Sequence, residues 1–440
     1  MTLPDFHGRL PKGPAPADTD RPLPAIFGRA ERFLEPEGEY QSVRDAGLYP
    51  YFRAIEVSEG SRAIMNGREI IMAGSNNYLG LTNDPRVREA AKAAIDQYGT
   101  GCTGSRFLNG TLDLHLELED RLAAFMRKEA CVLFSTGYMT NQGVLQAVAQ
   151  RGDVIFSDKD NHACILAGQQ VSAAETVRYR HDDLGHLRTF LERTAGAKPE
   201  AGKIIVTDGV FSMSGTLADV PGLVALAEEF DAALYLDDAH AVGVVGDGGR
   251  GSASVFGLDG RVDIVTGTFS KSFASLGGFA VGPRSVVEYI RHTASTHIFS
   301  ASMPPANVAT VLACLDILEE EPERLDRLAA VSDRMRDGLR ALGFNVWASQ
   351  TPIIPVVIGE MYRCFEFWTD LLEAGVFANA VIPPAVPPGQ SLMRTSYMAT
   401  HTDEELDRVL EAFRTVGLKH GIIGPDGQPG PAMVPNGRHG

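Results

Sequence analysis

The sequence predicts an α/β protein with a mostly parallel seven-stranded central sheet, followed by a smaller α+β domain. Three observations predict it. Seven short apolar runs, each too short for a helix, recur between residues 131 and 282. Amphipathic stretches of helical period, such as 181–194 and 217–230, separate most of them. Beyond about residue 300 the alternation gives way to longer helical stretches and two isolated strands.

Taken in order, residues 4–24 are rich in proline and charge (Pro11, Pro14, Pro16, Pro22, Pro24) and read as an arm. Asn83, Asp84 and Pro85 offer a cap and a first-turn proline. Val87, Ala90, Ala91, Ala94, Ile95 and Tyr98 then follow helical spacing. Leu114, Leu118, Leu122 and Phe125 form a second helical stripe. The predicted strands are CVLFS (131–135), DVIFSD (153–158), TVRYR (176–180), KIIVTDG (203–209), ALYLDD (233–238), DIVTGTF (263–269) and GFAVG (278–282). Helices are then expected over 308–320 and 324–342, strands over 351–359 and 391–397, and a closing helix over 402–416. The Gly/Pro-rich tail is expected to lack order. The expected division is an arm and small segment over 1–65, a large domain over 66–299, a small domain over 300–420, and the tail over 421–440.

Composition excludes several function classes. Forty Lys+Arg against 56 Asp+Glu give a formal net charge of -16, which argues against a surface that grips nucleic acid or an anionic membrane. The five cysteines (Cys102, Cys131, Cys164, Cys314, Cys364) are scattered and show no CxxC or Cys/His zinc spacing, so neither a disulfide scaffold nor a metal site is expected. Neither a signal peptide nor a transmembrane stretch is read, and the expected compartment is the cytoplasm.

In a mostly parallel sheet, ligands bind beyond the carboxyl ends of the strands. The polar residues closing each run are therefore the candidates. TGTFSKS (266–272) ends a strand with hydroxyl residues around Lys271. A lysine there can form a Schiff base with an aldehyde cofactor, while Thr268 and Ser270 can bind a phosphate. Alone, a solvated surface lysine is the commoner reading. LYLDDAH (234–240) shifts that balance, because an apolar run delivers Asp237 and His240 follows three positions on. Pyridoxal phosphate (PLP) needs a buried carboxylate at its ring nitrogen, and His240 can reach its phenolic oxygen. The competing reading is a helix-capping Asp beside a core histidine. STGYMTN (135–141) is a strand-to-helix turn whose backbone N–H groups suit an anion, with Gly137 and Tyr138 at its start. An ordinary helix cap is the alternative. His162, closing DKDNH (158–162), can stack on a cofactor ring or be structural. Ser212, in DGVFS (208–212), can bind the phenolic oxygen or merely end the strand.

GTGCTG (99–104) matches G-x-G-x-x-G but follows a predicted helix, so the dinucleotide reading is rejected. The loop continues through Ser105 and reads as a substrate or subunit-contact loop. No nucleophile elbow and no phosphate-loop motif is present in the sequence.

Eight motifs in one order carry a resemblance: GSNNYLGL (74–81), GTGCTGSRFLNGT (99–111), FSTGYMTN (134–141), DGVFSMSG (208–215), LDDAHAVGVVG (236–246), GTFSKSFASLGG (267–278), IFSASMPP (298–305) and PPAVPPGQSLMRTSYMATHT (383–402). Together they closely resemble the α-oxoamine synthases, PLP enzymes of the aminotransferase-like fold type I, over about residues 51–418. The resemblance implies condensation of an amino acid with an acyl-CoA, with release of CO2 and CoA. It implies Lys271 as the Schiff-base lysine, Asp237 under the pyridine nitrogen and His162 stacked on the ring. His240 and Ser212 would meet the phenolic oxygen. Gly137, Tyr138, Thr268 and Ser270 would surround the phosphate, with Ser300 reaching over from a second subunit. Asn77, Ser105 and Arg394 would face the substrate, Arg394 holding its carboxylate.

Within the family, YFRAIE (51–56), the glycine-rich loop and the TPIIPV/SYMATHT pair look most like the bacterial serine palmitoyltransferase branch. That branch implies L-serine and palmitoyl-CoA as substrates, 3-ketodihydrosphingosine as product, a homodimer with shared active sites and transient membrane contact. A protonated His240 is expected to stabilise charge on the acyl oxygen. The chain departs from some palmitoyltransferases by placing Val381-Ile382, not an arginine, before Pro383 and Pro384. Glycine C-acetyltransferase, 8-amino-7-oxononanoate synthase and 5-aminolevulinate synthase are the alternatives within the family. A non-catalytic partner subunit is the alternative from another class, and a decarboxylase or aminotransferase on the same fold is a further one.

Overall fold

The computed structural model describes residues 23–430. Strands β1 (Val57–Glu59), β2 (Arg62–Met65) and β3 (Arg68–Met72) come first. The central strands follow: β4 (Ala130–Phe134), β5 (Val154–Asp158), β6 (Glu175–Tyr179), β7 (Lys203–Asp208), β8 (Ala233–Asp237), β9 (Ile264–Thr268) and β10 (Gly278–Gly282). The last four are β11 (Ile353–Gly359), β12 (Val376–Phe377), β13 (Asn379–Val381) and β14 (Ser391–Ser396).

The seven central strands form one sheet in the order β4-β10-β9-β8-β7-β5-β6. The strands β6, β5, β7, β8 and β9 run parallel, and β10 lies antiparallel between β9 and β4. All seven predicted runs are present. β4, β5 and β10 are buried along their whole length, as expected for strands covered on both faces. The polar run TVRYR is β6, the edge strand, where only Tyr179 is buried.

The crossover helices Gly137–Val148, Ala163–Val171, Leu184–Ala197 and Val220–Glu229 each start at a capping side chain. Thr136, His162, Asp183 and Asp219 accept from the backbone N–H of the first turn. Capping fixes where each chain turns out of the sheet, and so where the strand-end residues stand.

The packing divides the chain at different places from those expected. β3 pairs with β12, and Ile71 is buried in the second core with Trp368 and Val376, so the segment after residue 66 begins in the smaller unit. The helix Pro305–Glu320 joins the first core through Val308, Val311, Leu315 and Leu318. Buried side chains cover most of its circumference and only Asp316, Glu319 and Glu320 are exposed, which suits a helix packed between others and not a surface helix of a small domain. β11, β14 and β13 form an antiparallel sheet covered by the helices Glu323–Ala341, Met361–Glu373 and Asp403–Lys419.

Part of the expected tail is ordered. Ile422 and Ile423 are buried in the second core, and the chain folds back so that Gly430 N–H donates to Ile422 O at 2.8 Å. Two apolar side chains outweigh the Gly/Pro composition there. Most of the proline-rich arm and residues 431–440 lie outside the described residues. Among the described residues, no helix is long and apolar enough to cross a membrane, and no group of His, Cys, Asp or Glu forms a metal site.

Candidate active site

The strand ends converge on one cavity of about 280 Å³. Its wall includes Gly137, Tyr138, His162, Ser212, Asp237, His240, Thr268, Ser270 and Lys271, nine residues singled out from the sequence. They arrive from five separate stretches, after β4, β5, β7, β8 and β9, because parallel strands release their polar ends on the same side of the sheet.

Asp237 is buried at the end of β8. Its Oδ1 accepts from Ala239 N–H at 2.9 Å, and its Oδ2 accepts from Asn141 Nδ2 at 2.6 Å. Among the described residues no cation lies within ion-pair distance of it. A buried carboxylate without a protein counter-cation is placed to receive a cationic group from a ligand. Asp208, beside it, has its carboxyl pushed well above the usual range by burial and by the Asp237 charge. It accepts from His162 N–H at 2.9 Å, which fixes the chain where His162 enters the cavity.

Lys271 follows β9. Burial lowers its ammonium pKa to about 8, with Asp237 opposing the fall and Arg394 adding to it. An amine so placed is a nucleophile near neutral pH. Burial also lowers His162 below the ordinary imidazole value. Its Nδ1 lies 2.8 Å from the Cys164 thiol and accepts from Cys164 N–H at 3.2 Å, so the ring proton sits on Nε2.

His240 departs from expectation. Burial first, then the charges of Lys271 and Arg394, hold it well below the ordinary value, so the imidazole is neutral and not the expected cation. Its Nδ1 is 2.8 Å from the Tyr78 hydroxyl, which donates to Asn76 Oδ1 at 3.2 Å. Tyr78 therefore accepts from His240 Nδ1–H, leaving Nε2 as an acceptor.

At the opposite end of the cavity stands the N-terminus of the helix Gly137–Val148. The Thr136 hydroxyl takes Met139 N–H, so the N–H groups of Gly137 and Tyr138 remain for an anion. Thr268 and Ser270 hydroxyls lie 3.0 Å apart across from them. A Cβ on Gly137 would stand 2.7 Å from Thr268 Cβ, so glycine is needed for the turn to approach β9 this closely.

Four expected site residues do not line the cavity. Arg394, on β14, adjoins it: Nε donates to Ser212 O at 2.6 Å and Nη2 to Asn76 Oδ1 at 3.2 Å. Asn77 instead turns away, donating to Thr82 Oγ1 at 2.8 Å, and Asn76 is the asparagine that meets Arg394. Ser105 and Ser300 lie together elsewhere, on two segments joined by a Ser105–Ala301 bridge, beside the exposed Phe107, Leu108 and Phe299. Residues the sequence reading left without a role are Asn76, Tyr78, Asn141, Cys164 and Asp208. Asn141 was detectable: it falls one helical turn after Gly137, on the face that Gly137 turns to the cavity.

PLP fits this cavity. Its phosphate matches the free N–H groups and hydroxyls, its aldehyde matches the depressed Lys271 amine, and its pyridinium matches the uncountered Asp237. Comparison with known proteins agrees. The family pattern of aminotransferase class I and II matches residues 68–413. The serine palmitoyltransferase of Bacteriovorax stolpii is 47% identical over 371 residues, 84% of this chain and 88% of that protein. That of Sphingobacterium spiritivorum is 45% identical over 371 residues, 84% of this chain and 92% of that protein.

The chain belongs to the α-oxoamine synthase family. The solved serine palmitoyltransferase of Sphingomonas wittichii superposes with a TM-score of 0.87 at 36% identity, covering 92% of this chain and 100% of that one. The 8-amino-7-oxononanoate synthase of Geotalea daltonii is 42% identical over 388 residues, 88% of this chain and 98% of that protein. This α-oxoamine synthase is a PLP-dependent acyltransferase that condenses an amino acid with an acyl-CoA, a reaction typical of serine palmitoyltransferase.

Proposed function

We propose that the amino acid is L-serine and the acyl donor palmitoyl-CoA, giving 3-ketodihydrosphingosine, CoA and CO2. The observation that carries this reading is Arg394. It is a buried guanidinium at the cavity edge, without an acidic partner among the described residues, and its orientation is fixed by Ser212 O and Asn76. Such a group suits the carboxylate of an amino-acid substrate. The two relatives compared at 45% and 47% identity are both named serine palmitoyltransferase, which supports serine and a C16 donor.

PLP, when bound, supplies an electron sink for the charge left at the amino acid's α-carbon. Lys271 Nζ, its pKa lowered to about 8 by burial, would take the α-proton of the bound amino acid. The His162 ring, with its proton on Nε2, and Arg394 would hold and orient the carboxylate of the amino acid. His240 acts as a neutral group whose position Tyr78 fixes, with Ser212 near the phenolic oxygen. Gly137, Tyr138, Thr268 and Ser270 hold the phosphate.

The active assembly is a homodimer in which Ser300 of the partner subunit completes the phosphate site and Ser105 lies at the shared boundary. The exposed Phe107, Leu108 and Phe299 around these serines support it. We place the enzyme in the cytoplasm, with transient membrane contact through its lipidic substrate and product. The five free cysteines, four of them buried, suit a reducing compartment.

The experiment is a thiol-release assay over a grid of amino acids and acyl-CoAs. Serine with palmitoyl-CoA as the best pair supports the assignment. Glycine with acetyl-CoA, or alanine with pimeloyl-CoA, as the best pair refutes it and leaves the family intact.

A further inference from the structure

Asn141 occupies an unusual place in the cavity wall. It is 2% exposed, and each end of its amide has a hydrogen-bond partner. Its Oδ1 accepts from Tyr235 OH at 2.5 Å and from Thr266 Oγ1 at 3.4 Å. Its Nδ2 donates to Asp237 Oδ2 at 2.6 Å and approaches Cys164 Sγ at 3.2 Å. The amide cannot turn over without aiming its oxygen at a carboxylate and its N–H groups at two hydroxyls. Tyr235 is fully buried, and its phenol is pushed well above the ordinary value by burial and by Asp237, so it stays a donor.

The same residue also reaches the other side of the site. Cys164, which takes the second Asn141 N–H, lies 2.8 Å from His162 Nδ1. Burial keeps its thiol protonated, and the S–H lies within reach of both that nitrogen and, at 3.7 Å, Asp237 Oδ2. Asn141 therefore sits one helical turn after the phosphate-binding Gly137, against the carboxylate that meets the pyridine nitrogen, and one contact from the histidine expected over the ring.

We infer that Asn141 is a positioning residue for the cofactor: anchored by Tyr235, it fixes the Asp237 carboxylate against the pyridine nitrogen and ties it to the helix that holds the phosphate. The inference rests on the PLP site and not on the choice of serine or palmitoyl-CoA. Failure of the substrate grid would leave it standing.

The test compares PLP with its 1-deaza analogue, in which a carbon replaces the ring nitrogen and no contact with Asp237 can form. Dissociation constants are measured by spectral titration of apoenzyme. Wild-type protein should bind PLP more tightly than the analogue. In Asn141→Ala, PLP affinity should fall about tenfold or more, while affinity for the analogue changes less than about twofold, so that the preference collapses. Tyr235→Phe, which keeps the amide and removes only the hydroxyl that anchors it, should reduce the preference in the same direction by a smaller factor. A merely structural role would weaken both ligands alike. An unchanged preference for PLP over the analogue in Asn141→Ala would overturn the inference. Should that variant not fold, an unchanged preference in Tyr235→Phe would do the same.

Discussion

Lys271 combines two demands that ordinarily conflict, a charge at neutral pH and a free electron pair. With its pKa lowered to about 8, roughly a tenth of the amine is neutral at pH 7, against about one part in three thousand at the ordinary value. The neutral amine is the form that captures the PLP aldehyde. The rate of capture by apoenzyme should therefore rise with pH and level off above about 8. Stopped-flow absorbance checks this, and a rate still climbing at pH 10 would contradict the burial account. Arg394 is tested separately. Arg394→Lys keeps the charge and loses the planar fork, so the amino-acid KM should rise about tenfold while PLP affinity stays unchanged. Steady-state kinetics beside a PLP titration separates the two. At this scale Lys271, Asp237, His162 and His240 were legible because each closes an apolar run. Asn77 is the asparagine singled out from the sequence, while Asn76 is the one that meets Arg394; the segment 74–80 has no regular period to say which neighbour faces inward. The charge state of His240 depends first on its burial and then on Lys271 and Arg394 being brought close from other elements, which no local pattern reveals.

Among the elements, the turn from β4 into the helix Gly137–Val148 and the end of β9 must touch for the phosphate site to exist. Gly137→Ala would place a methyl 2.7 Å from Thr268 Cβ and force them apart. PLP affinity should fall about tenfold, although alanine is the better helix former by about 1 kcal/mol. Equilibrium dialysis checks it, and an unchanged affinity would show that the close approach is dispensable. The central strands were readable because burial on both faces leaves continuous apolar runs. β1, β12 and β13 were not, being two or three residues long, with β1 wholly exposed. The helix Pro305–Glu320 was legible as a helix but not as part of the first core. Its sequence shows apolar residues over most of its circumference, not what surrounds them.

Over the whole molecule, two cores meet near the cavity: β14 of the second supplies Arg394, and the central sheet of the first supplies the rest. The first core extends into the helix Pro305–Glu320, so a cavity there should destabilise the protein well away from the chemistry. Leu315→Ala should cost about 2–5 kcal/mol in urea unfolding of the apoenzyme, with the amino-acid KM of the folded holoenzyme unchanged. A cost under about 1 kcal/mol would mean that the helix is not part of that core. The net charge of -16 acquires a meaning at this scale as well. On the proposed assignment, an acidic protein would bind an anionic cofactor through local donors: helix N–H groups, hydroxyls, Lys271 and, for the substrate carboxylate, Arg394.

The central claim is a decarboxylative condensation carried out at Lys271. It is tested most directly by incubating the holoenzyme with palmitoyl-CoA and L-serine labelled with carbon-13 in the carboxyl group, and counting CoA and labelled CO2 together. The account predicts equal amounts of the two, an unlabelled 3-ketodihydrosphingosine, and neither in Lys271→Ala. CoA released without labelled CO2, or turnover persisting in Lys271→Ala, would contradict it.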